Sequence, residues 1–206
     1  TIAWGQRTTI INNAQKLMSI MGDSPYDYVL NANDSQLKRL DGFKHRTFNG
    51  EDANRFVLNL RRIYREYGDL ENLFMAGIKE GDRDLRDSIV NFRSVFLNGI
   101  KTRTDKHVSN PASGSATKRI NMYLRWMCRK DKRGVDFGIW KIPPALLSCP
   151  LDVHSGNTAR KLGLLSRSQN DWKAVEELDA SLRRMDPDDP VKYDFALFGL
   201  GVFEKF

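Results

Sequence analysis

An all-α fold is what this sequence predicts, on three observations. Apolar residues recur at three- and four-residue spacing in most segments, the signature of helices with one buried face. No segment sustains the apolar–polar alternation of a half-buried strand. Gly, Pro, Asn and Asp fall between the periodic stretches, where helices stop and start, and nothing repeats at a fixed period.

The first helix is expected over Ile2–Met21, with Ile10, Ala14, Leu17, Met18 and Met21 at helical spacing and Gly-Asp-Ser-Pro at 22–25 to stop it. A short helix at Tyr26–Asn31 and a less regular stretch through Phe48 follow, where Gly42, Asn49 and Gly50 allow turns. From Gly50 a stronger helix carries Phe56, Leu60, Ile63 and Tyr67 on one stripe and ends at Gly68, a residue suited to the left-handed cap. Leu70–Ala76 and Asp82–Ile100 are two more; Ile89, Phe92, Val95 and Phe96 form the apolar face of the second. A polar turn at Asn110–Ser115 precedes a helix from Thr117 to about Arg129. Pro143 and Pro144 make Val135–Leu147 a loop with room for one helical turn. Asp152 then caps a helix through Leu164, Asp171–Met185 forms another with Ala174, Leu178 and Leu182 inward, and Pro-Asp-Asp-Pro at 187–190 breaks the chain before a last helix, Val191–Phe203.

At 206 residues, 40% hydrophobic and 29% charged, the chain has an ordinary globular balance and room for one large core or two closely packed lobes. Cys128 and Cys149 are its only cysteines. That number argues against a disulfide framework and cannot build a four-cysteine zinc or iron–sulfur site, so neither metal nor cofactor is expected. No apolar run approaches the roughly 20 residues of a membrane span and no signal-peptide pattern opens the chain, so no membrane partner is expected and a cytoplasmic location is. The chain opens at Thr1 on what reads as a helix already under way, so some N-terminal residues are expected to be missing.

Charge is unevenly placed. Ten Lys or Arg against two Asp lie between Lys101 and Arg133, an excess of +8 in a chain whose formal net charge is +7. Within this block Ser-Gly-Ser-Ala-Thr-Lys at 113–118 puts small residues where a tight turn meets a helix N-terminus, so that the amides of Ser113, Gly114, Ser115, Ala116 and Thr117 can point at one phosphate. Arg119 lies in the first turn of that helix. Lys118, Arg125 and Arg129 fall within one stripe of it and Ile120, Leu124 and Met127 on another, so a basic face can meet nucleic acid while an apolar one meets the core. The same residues also fit a glycine turn beside a solvated basic face. Asp152, taken alone, fits a plain helix cap.

Together these segments resemble the helix-hairpin-helix superfamily of DNA glycosylases, in which a Leu-Pro-Gly-x-Gly-x-Lys segment is followed by Val-Asp-Thr-His. Here the counterparts are Ala-Ser-Gly-Ser-Ala-Thr-Lys at 112–118 and Pro-Leu-Asp-Val-His at 150–154. The family's nucleophilic Lys falls on Lys118 and its nearly universal Asp on Asp152. Ala-Trp-Gly-Gln-Arg-Thr-Thr at 3–9 resembles the family's first helix, and Tyr-Asp-Phe-Ala-Leu-Phe-Gly-Leu-Gly at 193–201 resembles the closing helix of its oxoguanine branch. The resemblance implies a base pocket of Trp4, Gln6, Asp194 and Phe198. Ala112 and Ser113 stand where the family has Leu-Pro, and Ala116 where it has its second Gly. The 34 residues from Lys118 to Asp152 exceed the interval of the endonuclease III branch and are similar to that of the archaeal 8-oxoguanine glycosylases abbreviated AGOG, which also lack the cluster. The Ser-Gly-Ser-Ala and Leu-Arg-Trp-Met segments are similar to those of a bacterial family without assigned function.

The resemblance implies one unit over 1–206 with lobes of roughly 30–165 and 1–29 plus 166–206, acting as a monomer on double-stranded DNA that holds a damaged base. It implies excision of an oxidised purine such as 8-oxoguanine with AP-lyase activity through Lys118. A non-catalytic DNA-binding protein, a glycosylase for another damaged base and an enzyme acting on structured RNA are the rival readings.

Overall fold

Helix boundaries fall where capping residues and left-handed turns put them. The computed structural model describes residues 1–132, 134–204 and 206. Among these the chain is mostly helical, with ten α-helices and one hairpin of two-residue strands. No helix among them is long and apolar enough to cross a membrane. The chain divides into two compact units, Thr1–Leu73 with Arg93–Val108, and Phe74–Phe92 with Ser109–Phe206.

In the first unit, α1 (Arg7–Ile20) begins later than expected. Gly5 at φ 106° and an extended Gln6 interrupt the helical backbone before Arg7. The helix α2 (Pro25–Asn31) starts on a proline, whose missing N–H has no helical partner to lose. A helix that the apolar pattern does not signal, α3 (Asp34–Lys38), is set by a capping box between Asn33 and Gln36. The strands β1 (Lys44–His45) and β2 (Phe48–Asn49) pair antiparallel, again where only turns are expected. Asn49 and Asp52 form the capping box of α4 (Gly50–Tyr67), and Gly68 at φ 82° ends it.

Packing shows why residues 1–29 group with 30–73 and not, as the resemblance implies, with 166–206. Ile2, Leu17, Ile20 and Met21 pack on a core of Tyr28, Val29, Leu40, Phe43, Phe48 and Val57. Arg61 adds polar ties, donating to the carbonyls of Val29 and Ala32 at 2.6 and 2.7 Å.

The segment 93–108 belongs to this unit through Asp52, which is fully buried. Arg103 Nη1 donates to its Oδ2 at 2.6 Å, Thr104 Oγ1 to its Oδ1 at 2.8 Å, and His107 Nε2 lies 3.2 Å from Oδ2. Burial alone would raise the Asp52 carboxyl. The Asn49 amide, Thr104, His107 and Arg103 together outweigh it and hold the group below the ordinary range.

The second unit holds α5 (Leu70–Met75) from Phe74 on, the first part of α6 (Arg86–Leu97), α7 (Lys118–Cys128), α8 (Val153–Lys161), α9 (Trp172–Met185) and α10 (Asp194–Val202). Asn98 and Gly99, both at positive φ, stop α6 short of Ile100. The core joins Leu124 and Cys128 of α7 to Leu147, Leu151 and Ala159, and to Leu178, Leu182, Val191 and Leu197. Residues 166–206 therefore share one core with 109–165. Gly201 lets α10 lie directly on α8: a Cβ there would stand 2.7 Å from Thr158 Oγ1 and 3.0 Å from the His154 carbonyl.

Removing the Asp52 carboxylate deletes both a helix cap and the anion that Arg103 and His107 face. Asp52→Ala should destabilise the chain by about 2–4 kcal/mol in urea unfolding at pH 7. Because the folded carboxyl titrates below the unfolded one, its contribution is present above about pH 4 and is lost as pH falls through the depressed value. The gap between variant and wild type should narrow in acid.

Candidate functional site

Two residues 34 positions apart meet in the second unit. Lys118 Nζ donates to Asp152 Oδ2 at 2.8 Å. The lysine side chain is 40% exposed and the aspartate 13%, so the amine is partly open to solvent while the carboxylate is largely shielded.

Each partner is fixed from its own end. Asp152 caps α8 in a reciprocal box with Ser155. Its Oδ1 accepts from the Ser155 amide at 2.9 Å, its own amide donates to Ser155 Oγ at 2.9 Å, and Asn170 Nδ2 donates to its carbonyl at 3.1 Å. One carboxylate oxygen is thus held by the helix start and the other is left for Lys118. Burial pushes the Asp152 carboxyl up, but Lys118 and Ser155 more than offset this and leave it below its ordinary range. Lys118 is the first residue of α7. Thr117 before it adopts a left-handed conformation, φ 44° and ψ 33°, with no side-chain cap. That conformation is strained for a β-branched residue, and the Thr117 hydroxyl is buried without a partner.

The glycine turn is less open to an anion than its composition predicts. Gly114 takes the left-handed conformation at φ 85°. The amides of Ser113 and Gly114 donate to Asn110 and Pro111 carbonyls, and that of Ser115 to Asn110. The Thr117 amide donates to Ser115 Oγ at 3.2 Å, and Ala116 and Thr117 are buried. Most of the expected donors thus close the turn on itself. Ser113 and Gly114 remain exposed. Arg119 is half-buried, and burial lowers its guanidinium from the ordinary value.

The expected basic face of α7 is overturned at Arg125 and Arg129. Asn121, Leu124, Arg125 and Cys128 form the buried stripe, and Arg125 is only 5% exposed. Its Nε donates to Asp136 Oδ1 at 3.1 Å, its Nη1 to Asp194 Oδ2, and its guanidinium lies 4.4 Å from the Phe195 ring centroid. Arg129 donates to Asp136 Oδ2 at 2.8 Å and to Asp189 at 2.9 Å. These cations are neutralised by acids from outside the helix. The block at 101–133 is also divided, since Arg103 and its neighbours to Val108 belong to the first unit. Arg133 lies outside the described residues.

Of the four expected pocket residues, Asp194 and Phe198 lie on α10 in the same unit as the pair. Asp194 is buried, facing Arg125 and, through Oδ1, the Cys149 thiol at 3.7 Å. Burial pushes its carboxyl up to about 6, opposed by Arg125 and reinforced by the Asp152 charge, with the Cys149 thiol and Lys118 pulling it down. Phe198 is exposed and edge-on to the His154 ring at 6.0 Å. Trp4 and Gln6 belong to the first unit. Gln6 is exposed before α1. Trp4 packs edge-on to His45 at 5.6 Å with the Arg46 guanidinium 4.8 Å from its ring. Sequence reasoning misses Ser155, Asn170, Asp136 and Cys149. Only Ser155 carries a signal, standing three residues after an aspartate cap.

The arrangement offers a half-exposed primary amine paired with a shielded, ionised carboxylate. Among the described residues no group of three or more His, Cys, Asp and Glu could hold a metal ion. A family model described as "Protein of unknown function (DUF2400)" matches residues 1–203. No curated protein and no solved structure matches the chain.

Two outcomes follow from the buried ions. Arg125→Ala leaves Asp194 without its guanidinium and Asp136 with Arg129 alone, and should lower stability by about 3–5 kcal/mol, or Tm by about 10 °C; a surface phosphate contact would leave Tm unchanged. The folded Asp194 carboxyl titrates at about 6, above an unfolded value of about 3.9. The native chain therefore binds this proton more tightly, and the group's contribution to stability falls as pH rises from about 4 to 6. Asp194→Asn should gain on wild type across that interval in denaturant titrations; a constant difference would mean that Asp194 is ionised throughout.

Proposed function

The chain belongs to the DUF2400 family, and for this member we propose a DNA repair glycosylase with AP-lyase activity that excises an oxidised purine such as 8-oxoguanine. The observation that carries the proposal is the Lys118–Asp152 contact at 2.8 Å. The resemblance assigns these two residues to the chemistry, and a phosphate contact alone gives no reason for an aspartate to meet that lysine. The two-lobed helix-hairpin-helix architecture is part of the same proposal, with the turn at 111–117 and α7 as the second half of the hairpin.

In this reading the damaged base leaves the stack, and the Lys118 ammonium gives a proton to solvent to free its lone pair while Asp152 stays ionised. The amine nitrogen bonds to C1′ as the glycosidic C–N bond breaks, and the base departs with the bonding electrons and takes up the proton that the alkylated nitrogen releases. Asp152 also balances the positive charge that develops on the sugar. Opening of the sugar ring gives an imine between Lys118 and C1′. Loss of a C2′ proton then expels the 3′ phosphate and nicks the strand. Phosphate contact is proposed for the exposed edge of the turn, Ser113 and Gly114, for the half-buried Ser115 beside it, and for Arg119. Phe198 and Asp194 serve the base pocket, and the enzyme works as a monomer on double-stranded DNA.

Borohydride should trap the protein covalently on duplexes containing 8-oxoguanine, and Lys118→Gln should abolish the trapped species. Asp152→Asn should slow base release by about 100-fold or more. Trapping unchanged in the Lys118 variant would remove the residue from the nucleophile role. Tight binding with no release across a panel of lesions would leave a DNA-binding protein without catalysis, and release of a different base would change the substrate.

A further inference from the structure

The loop after α7 carries an apolar tip that the catalytic reading does not use. Val135 is 41% exposed, Phe137 60% and Ile139 66%, while Asp136 between the first two is 3% exposed. This alternation is built in. Helix α7 ends with carbonyls that have no partner within the helix, and the loop supplies amides to them. Phe137 N–H donates to the Trp126 carbonyl at 2.7 Å, and Ile139 and Trp140 N–H donate to the Met127 carbonyl at 2.8 Å each. Asp136 is drawn inward by Arg125 and Arg129, which forces its neighbours outward. Gly138, at φ 57°, passes so close to Lys130 that a Cβ would meet the Lys130 Cβ at 2.4 Å. The tip is therefore held out and cannot fold back onto the core.

Its surroundings are cationic. Lys130 and Lys132 are exposed, whereas the acids of this stretch are occupied, Asp131 by Arg129 and Asp136 by both arginines. Exposed apolar side chains in such a setting mark a binding surface, and the local charge fits a polyanion. An aromatic ring beside lysines suits a nucleic-acid strand, whose bases stack on the ring while its phosphates face the ammonium groups.

We infer that Val135, Phe137 and Ile139 form a docking finger that stacks on an unpaired or loosened base of the DNA strand, with Lys130 and Lys132 on the flanking phosphates. The inference rests on the DNA reading of the Lys118 site. Helix α7 has Lys118 at one end and the finger at the other, about 15 Å apart at 1.5 Å per residue. That is roughly four to five nucleotides at 3.4 Å each along one strand. The finger thus engages DNA beyond the target nucleotide and contributes affinity without sequence preference.

The test measures binding of the full chain to a short duplex carrying a stable abasic analogue, over a range of salt concentrations, with folding monitored by thermal melts. Phe137→Ala should bind roughly 5- to 100-fold more weakly with an unchanged slope of log Kd against log salt, and Phe137→Trp should retain affinity. Lys130→Ala with Lys132→Ala should reduce that slope by about 2. Wild-type affinity in Phe137→Ala, with wild type binding and trapping normally, would overturn the finger and leave the Lys118 reading intact. Wild type that binds no DNA would overturn both. Phe137-dependent binding to phosphatidylserine vesicles without a loss on DNA would reassign the tip to a membrane surface and overturn the inference.

Discussion

The Arg125 guanidinium, buried between Asp136 and Asp194, ties together three parts of the chain that share no local sequence signal. It links the middle of α7 to the loop that follows and to the first residue of α10. A buried arginine with no counter-charge would be prohibitively costly, and so would either buried carboxylate. The three groups therefore impose a mutual constraint, and apolar packing then fills in around it, with Leu124, Cys128 and Leu197 in the same core. Because the cluster also holds Arg129, Asp131 and Asp189, carboxylates outnumber guanidinium groups. Burial makes Asp194 reluctant to ionise and, with the Asp152 charge, pushes its carboxyl up to about 6 against the pull of Arg125.

This constraint reaches the proposed chemistry at one remove. Asp194 feels the charges of both Asp152 and Lys118 while being held by Arg125, so the surface pair acts electrostatically on the buried cluster. The pair itself is set by local devices: a capping box fixes one oxygen of Asp152, and a strained Thr117 starts the helix that carries Lys118. Strain of this kind persists only where neighbours over-determine the conformation. Here the bridge between Ser115 and Asp171 and the Trp172 amide on the Gly114 carbonyl at 2.9 Å provide that support.

Much of the helical framework was legible in the sequence because its signals are local. The aspartate at 152, the glycine at 68 and the apolar stripe of α9 each act within a few residues of themselves. The same locality explains α3 and the 44–49 hairpin, which lack an apolar period and depend on side-chain caps and on packing of Phe43 and Phe48. The meeting of Lys118 with Asp152 was foreseen only through a resemblance, since 34 intervening residues leave no periodic trace.

Arg125 shows where reading a helical wheel fails. Its spacing from Lys118 is seven residues, two turns, so the two share one face of α7. A shared face does not mean shared surroundings. At residue 118 that face meets solvent and the Asp152 carboxylate; at residue 125 it meets Asp136 and Asp194 inside the core. Periodicity reports direction around a helix axis, whereas a charge is satisfied by solvent or by an acid distant in sequence, and the two alternatives leave the same pattern of letters. The charge count of the block at 101–133 has the same weakness. It sums cations near in sequence, but Arg103, Lys118, Arg125 and Arg129 each face a carboxylate from outside the block. What remains available to an anionic partner is set by the fold, and among the exposed lysines Lys130 and Lys132 beside the apolar tip keep the character that composition assigned to the whole.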